Sequence, residues 1–388
     1  MSWLEDYLHY TQWSESPKMF HLWTGVSVLA SVLGRKVWWD LGYTPIFPNL
    51  YVVLVARSAG LRKTAAVEIG VKLLYNFPQD VEIIADKLTP EYLLTRLGEL
   101  NKEGKDATAL LYAEELQVFM GTDALGTGLI AILTKLYNNP SIFPYKTKGA
   151  GKYEITNCCS NLLACSAPQF LRLCLPVEAL GGGLAGRIVF PTAIVKERSI
   201  SRPKRIMPSE SEMQNLQLNL VNQLIEIGKI TGEYKETEEA GEWYDTWYHS
   251  REDDFPEDAR TVSYYERKHI TLIKVAMIIA ISQKRDHIIE KEDFIEALDM
   301  LKLVEDDMIY AYGGITFSNT IKDFDRVLEQ IKKAGDISHS DLLRKNWSHL
   351  NKDEMNVVIG TLKETRQIRE ETRGRGKWYV FLKNNEGG

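Results

Sequence analysis

The expected fold follows from residues 49–70, NLYVVLVARSAGLRKTAAVEIG. An apolar run typical of a buried strand is followed by a short loop with Ser, Ala and Gly, and then by a helical pattern. This layout is that of the motif G-x-x-x-x-G-K-[ST], in which backbone N–H groups and a lysine bind phosphates. Aligned on Lys63-Thr64, Arg57 and Arg62 stand where the motif has glycines, and only Gly60 matches a common third glycine. The stretch predicts either a nucleotide site or a tight turn with an exposed lysine.

Composition limits the classes of protein that remain. The chain has 388 residues, enough for two or three domains, and a net charge of -6, so any nucleic-acid contact must come from local basic patches. Its four cysteines lack CxxC spacing, which argues against a zinc site or a disulfide framework and favours a reducing compartment. The N-terminus does not resemble a signal peptide, and the apolar run at 272–282 is too short to span a bilayer. We expect a soluble cytoplasmic protein that does not enter a membrane.

Apolar runs and helical patterns alternate in the first half of the chain. Residues 1–45 are predicted to be helical, and residues 46–200 to form an α/β core. Nearly continuous apolar runs are typical of strands that are buried on both faces of a parallel sheet. The runs that predict such strands are 50–56, 81–86, 107–115, 161–167 and 187–195.

The second half of the chain is predicted to be mostly helical. Residues 196–210 are basic and contain prolines, which indicates a linker, and 211–312 carry helical patterns. Residues 320–383 contain three helical stretches and two alternating strands around an Arg-Gly-Arg-Gly turn, the pattern of a winged helix. The predicted domains are a helical collar at 1–45, an α/β core at 46–200, a helical lid at 201–318 and a winged helix at 319–388.

Two adjacent carboxylates follow the third predicted strand, in ALLYAEEL. A nucleoside triphosphatase needs one carboxylate to hold Mg²⁺ and another to polarise the attacking water. By position, Glu114 takes the metal role together with Thr64, and Glu115 the catalytic role. Simple solvation of a strand end is the alternative. Together with the loop around Lys63, these residues favour an ATP and Mg²⁺ site.

A family resemblance covers residues 14–310. SPKMFHLWTGVSVLASVLGRKVWW, PNLYVVLV, GLRKT, AEEL, NLLACSAPQFL and GGGLAGRIVF follow one another in this order. In this order they resemble the helicase-type domain of phage and plasmid primase–helicases, which are P-loop ATPases similar to superfamily 3 and AAA+. The resemblance implies a P-loop NTPase fold. In that family the loop often has the form G-x-R-K-[ST], so Arg62 fits the pattern and Arg57 departs from it.

The resemblance also implies three further roles near the nucleotide. Ser166 takes the position of a polar sensor of the γ-phosphate, with a simple strand-end residue as the alternative. Arg187 takes that of an arginine finger that enters the neighbouring subunit's site, with a salt bridge inside its own chain as the alternative. Arg267 matches a second arginine sensor, or else lies on a solvated helix face.

Two basic surfaces are candidates for contact with nucleic acid. A predicted hairpin at 143–156 carries Lys146, Lys148 and Lys152, and the resemblance implies that it grips single-stranded DNA inside a ring. The wing tip of the winged helix carries Arg373, Arg375 and Lys377. A solvated hairpin and a protein-docking winged helix are the alternatives.

The function predicted from these features is that of an ATP-dependent DNA helicase or translocase. It would act as a homo-oligomer, a hexameric ring, on single-stranded DNA during replication of a phage or mobile element in a bacterial host. One alternative is a replication initiator or helicase loader with little unwinding activity, which would contact replication proteins through the winged helix. Another is a non-catalytic scaffold, suggested by Arg57.

Overall fold

The computed structural model describes most of the chain. Described are residues 2–57, 60–79, 81–85, 87–121, 126–147, 151–175, 183–255, 261–285, 287–316, 320–347, 350–374 and 376–382. The helices are α1 (Trp3–Thr11), α2 (Lys18–Leu33), α3 (Lys63–Tyr75), α4 (Pro90–Lys102), α5 (Leu116–Met120), α6 (Leu129–Tyr137), α7 (Pro168–Cys174), α8 (Glu210–Ile227), α9 (Glu238–Ser250), α10 (Val262–Ser282), α11 (Lys291–Thr316), α12 (Thr320–Ala334), α13 (His339–Asn346) and α14 (Lys352–Glu364).

Strands alternate with these helices along the chain. They are β1 (Val37–Asp40), β2 (Pro45–Ile46), β3 (Tyr51–Val55), β4 (Glu82–Ile84), β5 (Thr108–Ala113), β6 (Ile142–Thr147), β7 (Gly151–Thr156), β8 (Cys159–Ser166), β9 (Ile188–Val189), β10 (Gly232–Glu236), β11 (Ile288–Ile289), β12 (Asp336–Ser338), β13 (Ile368–Arg373) and β14 (Gly376–Phe381). The α/β class predicted from the sequence is confirmed.

A parallel sheet with strand order β4-β5-β8-β3-β9 forms the centre of the protein. Each of the five apolar runs that predicted strands contributes one of its members. In the register, Val53 of β3 lies beside Ala164 of β8, and Leu111 of β5 beside Leu162 of β8. Every residue of β3 and β8 is buried, because helices cover both faces of the sheet.

The two faces of this sheet pack against different helices. Val52 and Leu54 of β3 belong to one core with α2, α3 and α10, whereas Val53 and Val55 belong to a second core with α4 to α7. Helix α3 therefore leaves β3 on one face and α7 leaves β8 on the other. Diverging connections of this kind leave a crevice at the carboxyl ends of neighbouring strands, where ligands of α/β proteins bind.

A second sheet, in the order β11-β10-β1-β2, corrects the helical predictions for 1–45 and 211–312. Val37 and Trp39 alternate with more exposed neighbours, and β1 pairs in parallel with β10, which comes almost two hundred residues later. In β10 only Tyr234 is buried. Strands this short are stabilised by their partners rather than by their own pattern, so the sequence signal for them was weak.

Residues 320–382 build most of a third core, to which Ile194 and Tyr310 also contribute. Strands β12, β14 and β13 form an antiparallel sheet in that order, against which α12, α13 and α14 pack. The buried side chains of this core include Phe324, Val327, Ile331, Leu342, Met355, Val358 and Leu362. The three helices and the hairpin predicted from the sequence are present, and β12 is an additional strand. Within the described ranges, no helix has the length and apolar character that crossing a membrane requires.

Candidate nucleotide site

The Lys63 side chain lies under the loop between β3 and α3. It is only 7% exposed, and its ammonium donates to the main-chain oxygens of Ala56 (2.8 Å) and Arg57 (3.2 Å). Burial lowers the pKa of this ammonium, while Glu115 is among the groups that raise it. Residues 58 and 59 lie outside the described part of the chain. The alternative prediction of a tight turn with an exposed lysine is therefore wrong in that Lys63 is buried.

The first turn of α3 offers hydrogen-bond donors to an anion. Arg62, which precedes the helix, adopts a left-handed conformation (φ 51°) and has no side-chain cap bond. Ser16 donates to the Arg62 carbonyl (2.8 Å), and Glu15 pairs with its guanidinium (3.3 Å), so the N-terminal segment holds this turn. A methyl group built on Gly60 would meet nothing within 4 Å, which shows open space beside the loop. Free N–H groups at a helix N-terminus beside such space favour phosphate binding.

Glu114 and Glu115 follow β5 at the same edge of the sheet as the loop. Both are exposed, and the hydroxyl of Tyr112 donates to Glu114 (3.3 Å). Partial exclusion of water raises the pKa of Glu115, Lys63 lowers it, and Glu114 raises it further. A cavity of about 320 Å³ opens at these two carboxylates and Phe119. Lys63 and Glu115 therefore interact electrostatically across β8, which lies between their strands.

Ser166 ends β8 between these two groups. Its hydroxyl is fully buried and donates to the carbonyl of Ala167 (3.1 Å), while its own carbonyl accepts from the Ala56 N–H (3.3 Å). The structure places Ser166 at the predicted edge of the sheet, but its hydroxyl is directed at the backbone.

Arg187 lies at the opposite edge of the sheet from Lys63. Ile188 pairs with Tyr51 at the start of β3, whereas the loop follows Val55. At about 3.3 Å per residue, this places Arg187 roughly 13 Å or more from the loop. Arg187 therefore lies too far away to complete the site of its own chain.

The Arg187 guanidinium is half-buried beside other cations. It donates to the Gly183 carbonyl (2.9 Å) and lies 5.9 Å from the centre of the Tyr137 ring. Burial lowers its pKa, and Arg267 lowers it further. Arg267 donates to the Ser263 carbonyl of its own helix (3.0 Å). The structure thus brings the two predicted arginines together, away from Lys63.

Sequence reasoning did not identify Lys274 as a buried cation near Tyr137. Lys274 is 2% exposed, donates to Oδ1 of Asn49 (2.7 Å) and lies 3.9 Å from the centre of the Tyr137 ring. Burial lowers its pKa to about 7. Asn139 donates to the same Asn49 oxygen (2.6 Å). The available signal was the lone charge inside the apolar run at 272–282.

A mainly apolar cavity of about 440 Å³ adjoins the start of α3. Arg62, Ala65 and Ile69 form one side, and the end of α1 and residues 200–213 form the others. The large side chains that line it are Tyr10, Trp13, Met207 and Met213. Its volume is in the range of small-molecule sites, which are apolar with a few polar groups. No local sequence pattern indicated this cavity, because its walls come from three separate segments.

The candidate nucleic-acid residues are only partly described. Strands β6 and β7 form the predicted hairpin. In its backbone register Lys146 lies opposite Lys152, and Lys148 lies outside the described residues. In the C-terminal hairpin, Arg373 pairs with Asp336 (2.5 Å) and Glu371 (2.7 Å). Lys377 pairs with Glu370 (2.9 Å), and Arg375 lies outside the described part. Carboxylates of the same domain thus accompany the described wing cations.

The donor set around Lys63 fits a nucleotide with Mg²⁺. The Lys63 ammonium and the helix N–H groups can bind phosphate oxygens. The Thr64 hydroxyl and the two carboxylates offer oxygen ligands to a hard cation such as Mg²⁺. In the described part of the chain no three His, Cys, Asp or Glu side chains are grouped to hold a metal. Mg²⁺ commonly relies on one or two protein oxygens and substrate phosphates, so this absence does not conflict with the site. No protein-family model matches the chain, and neither does any curated protein.

Proposed function

We propose that the protein is an ATP-dependent, ring-shaped DNA helicase or translocase that acts in the replication of a phage or mobile element in the bacterial cytoplasm. The observation that carries the proposal is the placement of Lys63 and the Glu114–Glu115 pair at one edge of the parallel sheet, with β8 between their strands. A strand inserted between the loop strand and the carboxylate strand agrees with a P-loop core of the AAA+ or superfamily 3 type.

Each residue of the site would have a separate task in ATP hydrolysis. The α3 N-terminus and Lys63 would bind the phosphates. Thr64 and Glu114 would hold Mg²⁺, whose charge offsets that of the phosphates. Glu115 would accept a proton from the attacking water, and its raised pKa makes it a better base. We expect Glu115→Gln to bind ATP with wild-type affinity and to hydrolyse it at least about 100-fold more slowly.

The cavity beside α3 would hold the base of the nucleotide. Trp13 and Tyr10 offer ring faces on which a base can stack, and Met207 and Met213 offer polarisable apolar contacts. Arg62 and Ala65 line the same cavity, which makes it continuous with the start of the phosphate-binding helix.

The position of Arg187 supports an oligomer. Arg187 lies far from Lys63, with Arg267 beside it, so any contact of these arginines with a nucleotide would be with that of a neighbouring subunit. A closed ring, such as a hexamer, gives every subunit such a neighbour. In this arrangement Arg187 would leave Tyr137 and stabilise charge that develops on the neighbour's phosphates.

The second candidate function is an initiator or helicase loader, and the C-terminal domain favours it. The fold of 320–382 agrees with a winged helix, yet Arg373 and Lys377 already pair with carboxylates. Exposed pairs contribute about 0–1 kcal/mol each, so DNA phosphates could displace them, but a mixed-charge surface also suits a protein partner such as a replication protein.

The experiment that separates the two functions measures ATP hydrolysis and strand unwinding with and without single-stranded DNA. Replacing Lys146, Lys148 and Lys152 by Ala should abolish unwinding and DNA stimulation and leave basal hydrolysis intact. Each lost phosphate contact should also flatten the log–log salt dependence of DNA binding by about 0.7. The control replaces Lys229 and Lys291, surface lysines paired with Glu226 and Glu239.

Truncation of the C-terminal domain supplies the opposite test. Deletion of 320–388 should weaken loading and leave stimulation by single strands intact. If the triple lysine variant unwinds normally and the truncated protein loses every response to DNA, the initiator or loader replaces the helicase. If no ATP is hydrolysed under any condition, both functions fail and the scaffold interpretation remains.

A further inference from the structure

The Arg62 guanidinium lies between the phosphate-binding loop and the apolar cavity beside α3. Arg62 directly precedes Lys63, and its side chain lines the cavity, whereas the Lys63 side chain lies under the loop. The Arg62 side chain is 62% exposed, so it can change its orientation without unpacking the core. Its main chain is fixed, because the Ser16 hydroxyl donates to its carbonyl (2.8 Å). Arg62 therefore combines a held backbone with a movable cation beside the proposed phosphate site.

Glu15 holds this cation through an ion pair, with 3.3 Å between Nε of Arg62 and Oε2 of Glu15. The other carboxylate oxygen, Oε1, accepts two shorter hydrogen bonds, from the Lys196 ammonium (2.8 Å) and from the main-chain N–H of Ile200 (2.7 Å). The pKa of Glu15 is lowered to about 2, first by Lys196, then by the Ile200 N–H, and less by Arg62. Glu15 is therefore charged at neutral pH, and its two other donors keep it in place when Arg62 leaves.

A carboxylate and a phosphate differ in how strongly they would hold Arg62. An ion pair with an exposed guanidinium changes an equilibrium by up to about fivefold. A charge-assisted hydrogen bond to a phosphate contributes about 10- to 150-fold. Since Glu15 retains Lys196 and the Ile200 N–H, the transfer of Arg62 to a phosphate oxygen leaves no carboxylate without a partner. The phosphate is therefore the stronger partner of Arg62.

We propose that the Glu15–Arg62 ion pair is a latch, which keeps an additional phosphate-binding cation off the nucleotide site until a nucleotide enters. This inference rests on the nucleotide site proposed above and concerns its regulation. On binding, the Arg62 guanidinium leaves Glu15 and donates to a phosphate oxygen. Because Arg62 lines the cavity proposed for the base, it contacts a phosphate that ADP and ATP share. The latch lowers nucleotide affinity by the factor that the ion pair contributes.

A double-mutant cycle on Glu15 and Arg62 tests the latch, with calorimetric titration of ADP and of the β,γ-imido analogue of ATP, both with Mg²⁺. Arg62→Gln should weaken the binding of both nucleotides by the same factor, about tenfold or more. Glu15→Gln should tighten both by about two- to fivefold, because glutamine still accepts from the Ile200 N–H but no longer competes for the cation. In the Arg62→Gln background this tightening should disappear, since no cation is left to release.

The control is Lys72→Gln, at an exposed position in the last turn of α3, which should bind both nucleotides as the wild type does. Equal effects of Glu15→Gln in the two backgrounds would overturn the latch, because Glu15 would then act without Arg62. Wild-type affinity of Arg62→Gln, or a loss confined to the ATP analogue, would overturn the contact assigned to Arg62. If the wild-type protein binds neither nucleotide, the proposed nucleotide site itself fails, and the latch with it.

Thermal unfolding of each variant shows whether it is folded. If Arg62→Gln does not fold, Arg62→Lys takes its place, because lysine keeps the charge but lacks the planar fork of the guanidinium. Arg62→Lys should weaken both nucleotides by a smaller factor. Glu15→Gln should still tighten them in this background, since a lysine at this position also pairs with Glu15. An Arg62→Lys protein whose affinities do not respond to Glu15→Gln would overturn the proposal.

Discussion

Replacing Lys63 by methionine separates a phosphate-binding lysine from a structural one. In the ligand-free protein its ammonium donates to the carbonyls of Ala56 and Arg57, and it is almost fully buried. The hydrogen bonds stabilise the charged form, whereas removal from water destabilises it, so the two contributions oppose each other. Methionine fills nearly the same volume without a charge. We therefore expect the free energy of unfolding to change by no more than about 1 kcal/mol.

Nucleotide affinity should respond much more strongly to the same change. A charge-assisted hydrogen bond to a phosphate contributes about 1.5–3 kcal/mol, which corresponds to an affinity loss of about 10- to 150-fold. Fluorescence titration with a labelled ATP analogue measures the affinity, and denaturant unfolding measures the stability. Lys72→Met, at an exposed position in the last turn of the same helix, is the control.

Two results would refute this reasoning about Lys63. If Lys63→Met binds the analogue as tightly as the wild type, the loop does not bind the phosphates through this lysine. If stability falls by several kcal/mol and affinity falls only in proportion to the unfolded fraction, Lys63 is a structural residue whose bonds to Ala56 and Arg57 hold the loop.

Three further predictions address the subunit interface, the buried lysine and the packing of α3. Arg187→Ala should reduce ATP turnover about 10³-fold. If each nucleotide site is completed by Arg187 of a neighbouring subunit, mixing Arg187→Ala with Lys63→Met subunits should restore part of the activity. A mixture as inactive as either variant would contradict a site shared between subunits. Because the folded-state pKa of Lys274 is lowered from 10.5 to about 7, the unfolded chain binds its proton more readily, and wild-type stability should rise with pH across this interval. Lys274→Met should flatten that rise in denaturation series, and an unchanged slope would exclude Lys274 as its cause. Gly70→Ala should lower the free energy of unfolding by about 1–3 kcal/mol, since its Cβ would lie 2.3 Å from a Thr24 methyl carbon. Gly60→Ala should change it by no more than about 0.5 kcal/mol, and equal effects of the two substitutions in thermal unfolding would contradict the packing described for α3.

Features that depend on local patterns could be predicted from the amino-acid sequence. Continuous apolar runs predicted the strands of the parallel sheet, since a strand covered on both faces has no polar side to show. The apolar run before Glu114 also placed the two carboxylates at a strand end. The alternating residues of 143–156 and the helical periods of 320–364 are equally local, and the corresponding elements are present.

Which of these elements contact one another depends on the packing of the whole chain. Local patterns did not predict that β8 lies between β3 and β5, an order that separates Lys63 from Glu115 by one strand. The pairing of β1 with β10 depends on contacts between segments far apart in the chain. The same is true of the cavity beside α3, whose walls combine α1 with residues 200–213. It is also true of Arg187, which packs beside Tyr137. The hydrophobic effect is non-directional, so a local apolar pattern predicts that a segment is buried but does not predict which other segment it packs against. The partner is chosen by the packing of the whole chain.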